Sequence, residues 1–335
     1  MKGFRKLGEQ LFNLGLTQRL GLGQRHTAGG DATAPTVVIT ANAATITAAP
    51  FTATFTFSED VTGFVVGGIT VANGSAGTFN TVSASVYTAV ITPTATGTVT
   101  VDVGAGVCTD AAGNANTASN TFSILGIVAK LWLDFSDVTT LFQDTARTNA
   151  ITADAQMIKG VTDKSGTGNH GIEATNGPTY KVNILNGKSI ARFSGGVTLS
   201  DTSITSIPQP YSIVVVFKPN GVASQQYMIR NSGFNVMLRI EATGVITLHS
   251  GASIATAATT AVWQMISGVF NGASSKVYKN GAEAASGNGG SLAVADYALA
   301  PNLAGDVAEI FIVASLSVAG RQALENYLNT KWAVF

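Results

Sequence analysis

Near the C-terminus, AGDVAEIF carries two carboxylates, Asp306 and Glu309, three residues apart. A retaining glycoside hydrolase needs one carboxylate to attack and another to donate a proton, held about 5 Å apart. Residues three apart in a regular strand point to opposite faces, so this pair cannot converge without a bulge. His26, His170 and His249 lie far apart and lack metal-ligand spacing, and serine and aspartate are too frequent to define a triad. The glycines sit in turns between strands rather than in a phosphate-binding loop. Cys108 is the only cysteine, so no intrachain disulfide can form, and it reads as a small buried apolar residue. The expectation is a protein with no catalytic residue and no metal site.

Aromatic side chains offer binding chemistry instead. A sugar ring stacks on an exposed aromatic face, and Trp132, Tyr180, Tyr211 and Tyr227 are the candidates for that platform. Trp263 and Trp332 read as core aromatics, and His170 in GNHG as a turn residue.

The elements that would position these groups fall into three regions of different composition. Residues 27 to 127 contain no Lys or Arg, although they carry Asp31, Glu59, Asp60, Asp102 and Asp110. Before them stand Lys2, Arg5, Lys6, Arg19 and Arg25; beyond them basic residues and tryptophan return. The division is a basic arm and hinge at 1–34, an acidic β module at 35–127 and a larger β region at 128–335. The zero formal net charge conceals this dipole and excludes the broad basic surface that nucleic-acid coating requires. Charged residues make up 11% of the chain against a typical quarter, so Thr, Ser, Asn and Gln must supply most of the polar surface. Such surfaces suit proteins outside a cell or on a particle. The sequence predicts no membrane span and no secretory apolar segment, which makes lysis the expected way out of a cell.

In the arm, Leu7, Leu11, Leu14 and Phe4 fall at helical spacing, with Lys6, Glu9, Gln10 and Asn13 turned away. This predicts a short amphipathic helix from Phe4 to Leu16, weakened by Gly8 and Gly15. A helix this short is marginal alone, so docking on a partner through Phe4, Arg5, Lys6, Leu7, Leu11, Leu14 and Arg19 is the expectation. Packing on its own domain and lying on a membrane surface are the alternatives.

From Thr36 onward, short alternating segments such as FTATFTF and SVYTAVITP are separated by turn residues about every ten positions. They predict an antiparallel two-sheet sandwich. The stretches APFTATFTFSEDVTGFVVGGITVANGSAG and YTAVITPTATGTVTVDVGAGVCTDAAGNANTAS resemble the bacterial immunoglobulin-like repeats of large surface adhesins. That resemblance implies a spacer or presentation domain without catalytic duty. It also makes Glu59, Asp60, Asp110 and Asn114 candidates for structural calcium, although an Asx turn around Gly113 is the simpler reading of residues 110–114.

The last region carries WLDFSD, DKSGTGNH, the hairpin at Tyr278 to Gly281, and a closing GRQALENYLNTKW that predicts a helix from Val318 to Lys331, with Leu324, Tyr327, Leu328 and Trp332 near one face. These segments resemble the concanavalin A-like, laminin-G-type jelly roll found in virion proteins of tailed bacteriophages. Related jelly-roll glucanases would place their nucleophile two residues before Asp306, where this chain has Ala304. The fold expected is all-β: a short helical arm, an immunoglobulin-like sandwich, and a jelly-roll sandwich with a C-terminal helix. The expected function is a non-enzymatic phage virion protein, a head decoration, fibre-like or tail-associated subunit. Residues 1–26 would hold phage capsid or tail proteins, host surface glycans are the candidate ligand, and a homo-oligomer such as a trimer fits a fibre. The alternatives are a bacterial surface lectin or adhesin, at the cell surface or secreted, and a polysaccharide depolymerase.

Overall fold

The computed structural model describes residues 31–42, 46–48, 50–202 and 204–335. The arm residues Phe4, Arg5, Lys6, Leu7, Leu11, Leu14 and Arg19, with His26, lie outside that set. The described chain is nearly all β, with the single α-helix of the set near its C-terminus and no helix long and apolar enough to cross a membrane.

Alternation builds the first sandwich. In Phe51–Phe57, the residues Phe51, Ala53, Phe55 and Phe57 are buried, and the threonines between them are more exposed. This strand lies between Val37–Ala41 and Val86–Pro93, and Gly74–Thr81 completes an antiparallel sheet of four. The facing sheet runs Ile46–Thr47, Phe122–Gly126, Gly97–Val103, Ile69–Ala72, and its first pair is parallel. Between the sheets Phe55, Phe57, Phe64 and Tyr87 pack with ring centroids 5.0 to 5.9 Å apart. The Tyr87 hydroxyl keeps partners in this core by donating to the carbonyls of Val61 and Ala84, both at 3.1 Å. Cys108 is buried in the same cluster, and burial pushes its thiol up.

The second sandwich stacks a nine-stranded sheet on an eight-stranded one around Leu131, Phe135, Phe193, Phe217 and Phe270. At the centre of the eight-stranded sheet lies Ala304–Ala314. Tyr211–Pro219 pairs along one of its edges, while Lys188–Ser194 and Ala129–Asp134 share the other edge in tandem. Both Ala304–Ala314 and Tyr211–Pro219 are buried almost throughout. Their runs of unbroken apolar residues reflect a sheet covered on both faces, by the inter-sheet core on one and by a helix on the other.

That helix, α1, spans Val318–Trp332. Ser317 caps its start by accepting the Gly320 amide at 3.0 Å. Ala333, at φ 52°, ends it, and the Asn329 side chain accepts the Val334 and Phe335 amides at 3.1 and 3.0 Å. Leu324, Leu328 and Trp332, four apart, pack on Trp132, Ile190, Val214, Val216, Met265 and Phe311 of the sheet.

The same helix meets the first sandwich. Ile46, Ala48 and Leu125 join its apolar cluster, and Thr96 Oγ1 accepts the Val128 amide at 2.8 Å. A Cβ on Gly320 would sit 2.2 Å from the Thr96 carbonyl oxygen, so glycine is what permits this approach. Gly→Ala inside a helix ordinarily stabilises by roughly 0.5–1 kcal/mol. Here Gly320→Ala is expected to destabilise by about 1–3 kcal/mol through overpacking. Urea unfolding measures the change, and an increase in stability would show that the two sandwiches do not depend on this contact.

Candidate functional site

The carboxylates Asp306 and Glu309 sit on Ala304–Ala314, and the strand is not regular there. Glu309 is opposite Val216 whereas Val307 is opposite Phe217, so Ala308 is an extra residue, a bulge. Val307, Ile310 and Ile312 turn into the inter-sheet core, and Ala308, Phe311 and Val313 turn toward α1. The bulge carries Asp306 and Glu309 to the same outer face. This corrects the expectation of opposite faces.

Sharing a face does not make the two a catalytic pair, because each is engaged elsewhere. Asp306 is gripped by the Arg192 guanidinium, Nε to Oδ1 at 2.7 Å and Nη2 to Oδ2 at 3.0 Å. Glu309 is fully buried. Its Oε1 accepts Trp132 Nε1 at 2.7 Å; its Oε2 accepts Trp332 Nε1 at 2.7 Å and Lys331 Nζ at 2.8 Å. Lys331 also reaches Asp134 at 2.8 Å, and Lys164 bridges Asp134 and Asp137 at 3.1 and 2.7 Å while lying 4.7 Å from the Trp132 ring centroid.

The two acids that share Lys331 respond in opposite ways. Burial, with the Asp134 charge alongside, pushes Glu309 up to about 7 against the pull of Lys331 and Trp332. Burial also works on Asp134, but the Lys331 and Lys164 ammoniums outweigh it and hold that carboxyl below its ordinary range. A proton entering this group therefore binds at Glu309, the deeper member.

The signature segments dock on this group. WLDFSD supplies Trp132, Asp134 and Asp137, and DKSGTGNH supplies Lys164. Asp163, in the second segment, organises the join. Its Oδ1 accepts the Trp132 and Ser165 amides, both at 2.9 Å, and its Oδ2 accepts the Ser165 and Thr167 hydroxyls and the Asn169 amide at 2.7 to 3.1 Å. His170 Nδ1 accepts the Asp163 amide at 3.1 Å, and burial pushes the imidazole down.

The four proposed stacking rings are all buried. Trp132 stacks on Phe311 at 5.2 Å, Tyr180 donates to Ser189 at 2.9 Å, Tyr211 stacks on Phe270 at 4.6 Å, and Tyr227 packs at 5.9 Å against Phe234. A sugar needs an open ring face, which these side chains do not offer. Trp332 is fully buried and Trp263 partly so. His249 lies on another strand, Val245–Ser250, and its Nδ1 bonds Ser253 Oγ at 2.7 Å.

Of the calcium candidates, Glu59 and Asp110 come together with Asp31, their carboxylate oxygens within 4.8 Å of one another; Asp60 is not in the group. Asp110 Oδ1 accepts the Ala112 and Asn114 amides at 2.8 Å, and Oδ2 accepts Asn114 Nδ2 at 2.7 Å. The turn around Gly113 thus engages both oxygens, Oδ1 twice and Oδ2 once.

Residues 31–125 match the bacterial Ig-like domain family, and the first sandwich is immunoglobulin-like. No curated protein matches the chain. Similar solved structures include domain 4 of AbnA, an extracellular GH43 arabinanase of Geobacillus stearothermophilus, in complex with arabinotriose. It is 15% identical over 58% of this chain and 96% of that one, with a TM-score of 0.41. The sialidase of Trypanosoma rangeli is 12% identical over 57% of this chain and 36% of that one, at 0.36. InvD of Yersinia pseudotuberculosis is 11% identical over 78% and 96%, at 0.19.

The Glu309 value makes a signed prediction. Its folded value lies above the ordinary 4.5, so its contribution to stability is complete below that pH and is lost as pH rises through about 7. Asp134 has the opposite sign, its contribution being present above its ordinary value and lost in acid. Glu309→Gln cannot titrate. The difference in unfolding free energy, wild type minus Glu309→Gln, is expected to fall between roughly pH 5 and pH 7.5, measured by urea titration. A difference that stays flat would show that Glu309 remains ionised throughout.

Proposed function

We propose that the chain is a non-enzymatic display protein of a particle surface, a virion protein of a tailed phage attached through residues 1–26 to capsid or tail proteins. One observation supports the non-enzymatic part of this reading: Glu309, one of the two carboxylates considered for hydrolysis, is fully buried and bonded to two indoles and a lysine. Its neighbour Asp306 is neutralised by Arg192. Hydrolysis would need both groups to meet solvent and substrate.

The immunoglobulin-like domain supports a presenting role, and the jelly-roll resemblance of WLDFSD, DKSGTGNH and the closing helix favours a phage particle over a bacterial surface. Host surface glycans are the ligand class that suits a displayed sandwich, and the arm would gather copies into an oligomer on the particle. A bacterial surface adhesin is the second reading, and the immunoglobulin-like match favours it equally.

Peptide mass spectrometry of purified phage particles tests the proposal. The chain is expected at a fixed copy number relative to the major capsid protein, and particles are expected to lose it when residues 1–26 are deleted. Finding it only in cell-surface or medium fractions of uninfected bacteria would replace the virion reading with the adhesin one. Release of reducing ends from capsular polysaccharide by the purified chain would overturn the non-enzymatic reading.

A further inference from the structure

A cleft of about 680 Å³ opens where the two sandwiches and α1 meet. Three stretches distant in sequence line it: Thr98 and Leu125 of the first sandwich, Asn186 and Lys188 of a hairpin in the second, and the outward stripe Ala323, Asn326, Tyr327 and Thr330 of α1, with Lys331 at its end. The stripe follows helical spacing, with Asn326 and Thr330 exposed and Tyr327 at the border of the apolar cluster that holds Leu324 and Leu328.

Its chemistry is specific. Leu125, Ala323 and the half-buried Tyr327 ring supply a small apolar floor. Around it, the Thr98 and Thr330 hydroxyls, the Asn326 amide, the Tyr327 hydroxyl and the Lys188 ammonium have no hydrogen-bond or ion-pair partner among the described residues. Asn186 spends its amide nitrogen on the Lys331 carbonyl at 3.0 Å, and Lys331 Nζ is already held by Asp134 and Glu309. No carboxylate lines the cleft, which leaves Lys188 as its free charge. Burial pushes the Tyr327 phenol up, so its hydroxyl remains a donor.

We infer that this cleft binds an acidic disaccharide, one hexose ring over the apolar floor and a uronic-type carboxylate against Lys188. The volume lies in the range of ligand sites, and junctions between domains are where such sites form. Hydroxyls and amides that both donate and accept match the repeated hydroxyls of a sugar. The floor is too small for an apolar cofactor, and the lining stripe is the side of a helix rather than the amino end that receives phosphates. The inference deepens the display reading, on which it rests for its source of glycans.

Titration of the purified full-length chain with a panel of uronic-acid-containing disaccharides and their neutral counterparts tests it. At least one acidic member is expected to bind at least about tenfold more tightly than its neutral counterpart, as a charge-assisted bond requires. Lys188→Met, which keeps the side-chain stem, is expected to abolish that preference, and Asn326→Ala to weaken binding several-fold, both with unchanged thermal unfolding. Failure of every acidic member to bind, or binding unaltered by both substitutions, would overturn the inference. Loss of the chain from particles would overturn the display reading and leave a positive titration standing.

Discussion

A buried carboxylate cannot be left alone, and that constraint orders the C-terminal two-thirds of this molecule. Removing an ionised group from water costs several kcal/mol unless partners replace the lost solvation. Glu309 finds them in Trp132, Trp332 and Lys331, which come from the strand that opens the second sandwich and from the last turn of α1. The three meet only when Ala129–Asp134 pairs with Ala304–Ala314 and the helix lies down on the sheet. Partial assembly leaves the buried carboxyl without these partners, which disfavours other registers and helix placements.

The helix transmits that order to the first sandwich. Its inner side is committed to the sheet, its start presses on Thr96, and its outer stripe faces Leu125 across the cleft. Among the described residues every ion pair lies between Asp134 and Lys331. The immunoglobulin-like part, without Lys or Arg, is held by its aromatic core, its ladders and turns such as that of Asp110. One chain thus contains two solutions to stability without disulfides, one resting on an aromatic core with hydrogen-bonded turns and one built around a buried carboxyl with three side-chain partners.

Much of this was readable in residue order and some was not, for physical reasons. FTATFTF announced its sheet because one face is buried and the other wet, and the apolar spacing from Val318 marked the helix within a residue of its end. The carboxylate pair was misread because a bulge inverts parity, and one extra residue leaves no mark on composition. Trp132 looked like a stacking platform because an indole can serve a sugar or a buried carboxylate equally well, and only burial distinguishes the two. The cleft was invisible for a different reason. Thr98, Lys188 and Asn326 share no motif, and nothing local in the chain brings them together.

Two domains joined by a short segment usually move relative to each other, because interfaces within a chain tend to be small and polar. This junction is built otherwise. Ile127, at the crossing, is fully buried in the cluster that also holds Leu324, Leu328 and Trp332, and the next residue, Val128, donates its amide to Thr96. A hinge here would expose that cluster and open the cleft, so the free energy that seats α1 also resists bending. A ligand held between two bodies binds well only if their separation is set in advance. Lys331, held by Glu309 and Asp134, also lines the cleft, so the buried group and the cleft meet at the same end of α1.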